Sequence, residues 1–300
     1  MSRPVNEFIQ HVSDTSAWVA HYRAIESERS DSLFKDPFAS ILVGDRALSV
    51  ERLHSETTKW TQWTVVMRTH IIDQMIQDLI SNGVTTFLNL GAGLDCRPYR
   101  LNLGANIQWI ELDFPNVIEH KQKLLQKFSP SCKLESIGLD LSNREKRQIL
   151  LAELAQKYQQ IVVLTEGVLP YLAEQQVSEL SEDLIRHASF KYWICEYMSE
   201  KTYRYLKDPK RMKVLINTPF QFYPKDWMGF FVGRGWHVKQ LQFYTEISEK
   251  LGRSTPLPKV FKFFEIVFGK RWAAPFKQMS GFLLWERHFK DCDLRLVKVK

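Results

Sequence analysis

The chain has 300 residues, with 41 Lys and Arg against 34 Asp and Glu, and is 44% hydrophobic and 25% charged. That balance excludes a disordered or low-complexity chain and suits one large folded domain. Four dispersed cysteines without a CxxC pair exclude a disulfide framework and a thiolate zinc site, no run approaches the ~20 apolar residues needed to cross a bilayer, and the net charge of +7 reads as a solvated basic surface, since no RNA-recognition signature accompanies it.

The opening MSRPVNEFIQHVSD has no apolar core of a secretion signal, so the expectation is a cytoplasmic protein. Ser13 and Asp14 precede an apolar-periodic segment with Trp18, Val19 and Tyr22, and Asp36-Pro37 marks a turn. Trp60, Trp63, Met67, Ile71, Met75 and Leu79 recur at helical spacing over 58–80, with Arg68 among them. An arginine there is either a solvated neighbour of the core face or, pointing inward, in need of an anion. Residues 1–80 read as a helical N-terminal cap.

The stretch from Val84 to Pro115 organises the rest. Thr85–Leu90 is a strand ending in Gly91-Ala92-Gly93; a helix-compatible segment follows; a second strand, Ile107–Leu112, ends at Asp113. Pro115 opens another helix, Lys133–Leu139 forms a strand ending at Asp140, and a helix spans Arg144–Tyr158. The fully apolar Ile161–Leu164 has the character of a central parallel strand and ends at Thr165-Glu166-Gly167. A helix over Ala173–His187 and a strand over Tyr192–Tyr197 complete a βαβαβαβαβ alternation. The fold class is α/β, a doubly wound, mostly parallel sheet, with residues 81–197 as its core. Residues 198–235 read as an insertion or lid. In 236–300, Gly235–Val238 begins a sixth strand, Phe243–Leu251 and Val260–Phe268 are helical, and Ser280–Trp285 is the final strand. The whole, 1–300, is one domain.

Each part of the organising stretch has a physical use. Glycines let a ligand approach the backbone, helix N–H groups favour negative charge, and an acid ending the second strand accepts both hydroxyls of a ribose. The third glycine of a dinucleotide fingerprint is replaced by Cys96, which weakens a pyrophosphate reading. S-adenosyl-L-methionine, a nucleoside ligand without a pyrophosphate, does not need that glycine; a dinucleotide and a plain βα turn stay open as alternatives. Ligands of open parallel sheets bind beyond the carboxyl ends of the strands, and here those ends carry Gly91 and Gly93, Asp113, Asp140 and Glu166. The ribose diol, adenine amine and α-ammonium of S-adenosyl-L-methionine can each donate to a carboxylate, and Arg68 is a candidate for its tail carboxylate. Helix capping is the alternative for each acid.

The segments AWVAHYRAIESERSDSLFKDPFA, VVMRTHIIDQMI, NLGAGLDCRPYRL with IELDFPNVIEHKQKLL, and VVLTEGVLPYL resemble the leucine carboxyl methyltransferase family, in particular its bacterial branch with the tetracenomycin-type polyketide O-methyltransferases. The resemblance covers about residues 13–172. It implies a class I methyltransferase dependent on S-adenosyl-L-methionine, with a seven-stranded sheet, a helical cap and S-adenosylhomocysteine as product. It places Arg68 on the methionyl carboxylate, Gly91 and Gly93 along the tail, Asp113 on the ribose, Asp140 and Leu141 at the adenine and Glu166 near the methionyl amine, and it matches Arg23 to a basic position of the N-terminal segment. Cys96 departs from the family's common threonine, which implies weaker hydrogen bonding there. The ESERSD and DPFA segments match the small-molecule branch rather than the branch that methylates a protein C-terminal leucine.

Methyl transfer to a carboxylate needs no base, because the acceptor is already ionised at neutral pH; alignment and exclusion of water carry the rate. A phenol would gain from a base, for which His237, Tyr171 and Tyr203 are candidates, each with a structural role as the alternative. No catalytic residue and no metal ligand is assigned. The rival readings are a protein C-terminal carboxyl methyltransferase, a nicotinamide-dependent reductase on a similar sheet, and a donor-binding protein without catalysis. The expected partner is an acidic, partly aromatic small molecule, not nucleic acid or membrane. The insertion's Lys201, Arg204, Lys207, Lys210, Arg211 and Lys213 beside Tyr203, Tyr205, Phe220, Phe222 and Tyr223 would attract it as a lid. The alternative is a solvated basic face over core aromatics.

Overall fold

The protein's structure, a computed structural model, describes residues 12–44, 56–207, 219–256 and 266–288. In chain order the elements are α1 (Val12–Glu28), α2 (Pro37–Val43), α3 (Glu56–Ser81), β1 (Thr86–Leu90), α4 (Arg97–Arg100), β2 (Gln108–Asp113), α5 (Pro115–Leu125), β3 (Lys133–Gly138), α6 (Arg144–Lys157), β4 (Ile161–Thr165), a 3-10 turn (Leu169–Tyr171), α7 (Glu174–Ile185), β5 (Phe190–Met198), α8 (Glu200–Leu206), α9 (Trp227–Val232), β6 (Trp236–Phe243), α10 (Tyr244–Lys250), α11 (Lys270–Lys277) and β7 (Ser280–Arg287). The expected apolar helix over Val260–Phe268 falls largely outside the described residues.

The strands form one seven-stranded sheet in the order β3-β2-β1-β4-β5-β7-β6. β1 and β4 are buried at every position, as their largely apolar sequences suit strands covered on both faces. The first five strands are parallel, while β7 runs antiparallel between β5 and β6. Strand order moves outward from β1 to β3, then restarts on the other side of β1 with β4. That reversal is the switch point at which such sheets open a crevice, and it sits where the glycine turn ends β1 and Glu166 follows β4.

One face is covered by α3, whose Met67, Ile71 and Met75 pack with Phe87, Trp109, Val162 and Phe282. The other carries α6, α7 and an aromatic cluster of Trp193, Trp236, Trp285, Phe222, Trp227 and Phe231. That cluster takes up most of the described aromatic residues of the expected lid. Tyr203 and Phe222 are buried in it, with Phe222 only 4.9 Å from Trp227 between ring centres. Lys201 lies over Phe276, Lys207 over Tyr223, and Arg204 pairs with Glu200. Burial of large rings outweighs the cost of ordering this segment, so its described part builds core and leaves its cations on the surface. Lys210, Arg211, Lys213 and the Tyr205 side chain lie outside what is described. The segment's described link to the crevice runs through Phe220, edge-on to Tyr171, and through the Gln221 N–H, which donates to Pro170 C=O.

The helix expected after the glycine turn is a single turn, α4. Its N-cap, Cys96, makes no side-chain cap bond, and the chain is extended again at Leu101. It is too short to hold an anion by its N-terminus, and the charge work there passes to side chains.

Candidate functional site

Gly91 and Gly93 both adopt the left-handed backbone that glycine supports, φ +69 and +49. The turn is tied to β2: the Gly91 and Ala92 N–H groups donate to Leu112 C=O at 2.7 and 3.0 Å. Asp113 closes it, with Oδ2 accepting the Gly93 N–H at 2.6 Å and Oδ1 the Phe114 N–H at 2.7 Å. Burial pushes the Asp113 carboxyl up, against the pull of those two N–H groups. Asp113→Ala should weaken S-adenosylhomocysteine binding by about 1–3 kcal/mol, roughly 5- to 150-fold, because it removes an acceptor and frees two backbone donors. Titration calorimetry checks this, and an unchanged affinity would reduce Asp113 to a turn-former.

Beneath the turn lies a buried ion network. Arg97 donates from Nε to Asp73 at 2.7 Å and from Nη1 to Asp95 at 2.8 Å and to Glu166 at 2.7 Å. Arg100 holds Asp73 with both Nη groups at 2.7 Å, and Asn89 donates to Asp95 at 2.9 Å. Burial alone would raise Asp95, but Arg97, Arg23 and Arg100 outweigh it and hold that carboxyl at about 2. Burial likewise opposes ionisation of Glu166, and Arg97 and Arg68 reverse it, so that acid is held below its usual value. The two arginines grip Glu166 differently. Arg97 makes a hydrogen bond to Oε2, whereas Arg68 Nε stands 2.9 Å from Oε1 without a hydrogen bond. Arg68 therefore points inward and meets the anion that an inward arginine requires.

A cavity of about 410 Å³ opens over these groups, and Arg23, Arg68, Gly91, Gly93, Asp113, Asp140, Leu141 and Glu166 all line it. Arg23 is buried, its Nε donating to Asp36 at 2.8 Å and its Nη2 to Leu94 C=O at 2.5 Å, so it clamps α1 to the glycine turn. Asp140 is exposed at the rim, its Oδ1 taken by the Ser142 N–H at 2.8 Å. Of the candidate bases only Tyr171 borders the cavity, and burial pushes its hydroxyl up. Tyr203 is in the aromatic core, and His237 lies tilted against His288, 4.1 Å between ring centres, near the amino end of β6 and away from the strands' carboxyl ends. Cys96 is fully buried against α1 and α2, not on the cavity wall, so its replacement of threonine bears on packing rather than on the ligand.

Sequence reasoning missed Asn89, Asp95, the α1 residues Thr15, Ser16 and Val19 on the cavity wall, and Glu196 just behind it. For Asn89 the available signal was a polar residue inside an otherwise apolar strand. Its Oδ1 is buried without a hydrogen-bond partner among the described residues. The set fits S-adenosyl-L-methionine: an orphaned acceptor and Glu166 for an ammonium, Arg68 for a carboxylate, and Asp113 beside glycines for a ribose.

The sequence profile of the leucine carboxyl methyltransferase family matches residues 16–185, more than half of the chain. The chain belongs to the leucine carboxyl methyltransferase family. The family match takes in Arg23, Arg68, the glycine turn and every strand-end acid through Glu166. A Mycobacterium bovis (strain BCG / Pasteur 1173P2) protein, by name an S-adenosyl-L-methionine-dependent methyltransferase, is 30% identical over 178 residues, 54% of this chain and 57% of its own length. The matched region thus spans little more than half of that relative. A Mycobacterium avium (strain 104) protein of the same name is 28% identical over 269 residues, 82% of this chain and 85% of its own length. A DUF574 family protein from Streptomyces avermitilis superposes with a TM-score of 0.55 at 10% identity, covering 92% of this chain and all of the other. A Thermobifida fusca chain described as a methyltransferase gives 0.53 at 13% identity, covering 90% and 94%. At those identities the likeness shows the fold alone, the seven-stranded sheet of the class I methyltransferases. Among the described residues no helix is long and apolar enough to cross a membrane.

Proposed function

We propose that the chain is an S-adenosyl-L-methionine-dependent O-methyltransferase acting on a small molecule, and that the favoured acceptor is a carboxylate. The observation that carries the donor half is the gathering of Arg68, Glu166, Asp113 and Asp140 around one glycine turn in one cavity. When bound, S-adenosyl-L-methionine supplies a methyl group on a sulfonium. This chain's residues bind and orient: Asp113 accepts the ribose hydroxyls, Asp140 and Leu141 border the adenine, Arg68 receives the tail carboxylate, and Glu166 receives the ammonium. Arg97 keeps Glu166 paired while Arg68 engages the ligand, so that no buried charge is left alone.

The acceptor half follows from the walls. No histidine is among the described lining residues, Asp95 is spent on Arg97 and Asn89, and Tyr171 keeps its proton. A wall without a free base suits an acceptor that is already ionised. The family name and the position of Tyr171, Leu172, Thr15 and Val19 at the cavity support a carboxyl group entering between α1 and the 3-10 turn.

The test uses methyl-labelled donor with a pool of small carboxylic acids, a pool of phenols, and a peptide ending in leucine. A carboxyl product is an ester and releases methanol in mild base; an aryl ether does not. Base-labile label on the small acids is the expected result. Label on the phenols alone moves the acceptor to a hydroxyl, label on the peptide alone moves it to a protein terminus, and NADH binding without S-adenosylhomocysteine binding overturns the donor reading.

A further inference from the structure

β5 carries a fourth acid, Glu196, two residues before the strand's end. Glu196 is 4% exposed and lies on the same face of β5 as Ile194, the face that packs with α3. Its Oε1 accepts the Gly167 N–H, and its Oε2 has no hydrogen-bond partner among the described residues. Gly167 has φ +70, and a Cβ there would stand 3.8 Å from Arg68 Nη1. Arg68 thus lies over the turn that Glu196 holds from below. The groups facing Glu196 are Arg68 from α3, Glu166 and the Gly167 N–H after β4, Tyr171 of the 3-10 turn, and Tyr244 at the start of α10.

We propose that Glu196 is a positioning residue for the amino-acid tail of the methyl donor, fixing the Gly167 turn and competing with the tail for the charge of Arg68. This rests on the reading that Arg68 receives the tail carboxylate. The Arg68 guanidinium, ion-paired with Glu166, then lies near enough to Glu196 and to the arriving carboxylate for its charge to act on both. A negative charge brought there favours the protonated form of an acid beside it. Burial pushes Glu196 up to about 7, with Glu166 adding to the rise and the Gly167 N–H and Arg68 opposing it. The proton is therefore exchangeable near neutrality, and tail binding draws it onto Glu196. Donor affinity falls as pH rises. His70, also on α3, faces Asp73 and the Leu33 backbone instead, so a profile arising there would survive substitution of Glu196.

The test is calorimetry of the full chain with S-adenosylhomocysteine and with methylthioadenosine, which lacks the amino-acid tail, from pH 6 to pH 8 in buffers of different ionisation enthalpy. If the tail raises Glu196 by about one pH unit, wild-type affinity for S-adenosylhomocysteine falls about fivefold across that range, with proton uptake on binding. Glu196→Gln, whose amide oxygen still accepts the Gly167 N–H, should bind at the pH 6 level throughout and take up no proton. Methylthioadenosine should be indifferent to pH in both proteins. A flat wild-type profile, an unchanged profile in Glu196→Gln, or the same profile with methylthioadenosine overturns the proposal. Equal affinity for the two ligands at pH 6 fails the tail reading itself. A large advantage for S-adenosylhomocysteine with a flat profile fails only the role of Glu196.

A second readout needs no ligand. A carboxyl raised in the folded state contributes stability below its unfolded value, 4.5, that is lost as pH rises through about 7. The Tm of Glu196→Gln should therefore gain on wild type from pH 5 to pH 8, and a margin that does not grow with pH counts against the proposal.

Discussion

Arg97→Met is expected to destabilise the protein by about 3–5 kcal/mol, the usual cost of removing one partner from a buried ion pair. Arg97 is 2% exposed and joins three acids contributed by α3, the loop after β1 and the loop after β4. Methionine fills much of the volume but leaves Asp73 to Arg100, Glu166 to Arg68 alone and Asp95 to Asn89 and the backbone N–H of position 97. For a chain of this size the loss corresponds to a Tm roughly 5–8 °C lower. Arg97→Lys should recover only part of it, since one ammonium cannot span positions that the planar fork reaches together. Asp95 is ionised in the fold down to about 2, so the deficit should be full above the ordinary carboxyl range and shrink as pH falls toward that value. Melts of the two variants between pH 3 and pH 8 measure this, and a deficit under about 1 kcal/mol would mean that the network is dispensable.

Gly91→Ala is the second large effect. Two costs add at this position. The backbone, at φ +69, charges any other residue about 1–2 kcal/mol. A Cβ would also stand 2.5 Å from Val168 Cγ2, and crowding of that kind costs about 1–3 kcal/mol more. Val168 is β-branched and can rotate little out of the way. Gly83→Ala is the matched control: its φ is +85 but nothing lies within 4 Å of the new carbon, so it pays only the backbone term. Gly91→Ala should be the worse of the two in denaturant unfolding and should also lose S-adenosylhomocysteine affinity, because Val168 lines the cavity. Equal losses in the two variants would remove the contact from the account.

The sheet and the approximate place of the site were legible because both are written in local signals. Apolar runs ended in Gly91, Asp113, Asp140 and Glu166, and parallel strands put such ends on one edge. Arg97 was not legible. It stands in a motif whose glycines and acid drew the reading, while its partners Asp73 and Glu166 are 24 and 69 residues away. Glu196 was hidden because β5 continues past it to Met198, so no turn marked it as a strand end. The aromatic residues of the expected lid looked like a gate because burial is a tertiary property. Phe222 stands in a stretch with neither strand nor helix periodicity to tell which side of the sheet it covers.

The place of β7 in the sheet has a consequence for how the chain is made. β5 pairs with β7 over Tyr192–Met198, and β7 bridges β5 to β6, yet β7 is translated some eighty residues after β5 ends. Until it arrives, β5 shows an open edge with a row of unpaired backbone groups beside Trp193, Ile194 and Cys195. That is the kind of template on which nascent chains associate with one another. The parallel strands β1 to β5 are all synthesised by residue 198; the antiparallel corner waits for residues 280–287. A ribosome stalled before that point presents a finished donor crevice on a protein that is still prone to clump, and the same holds for any product truncated there.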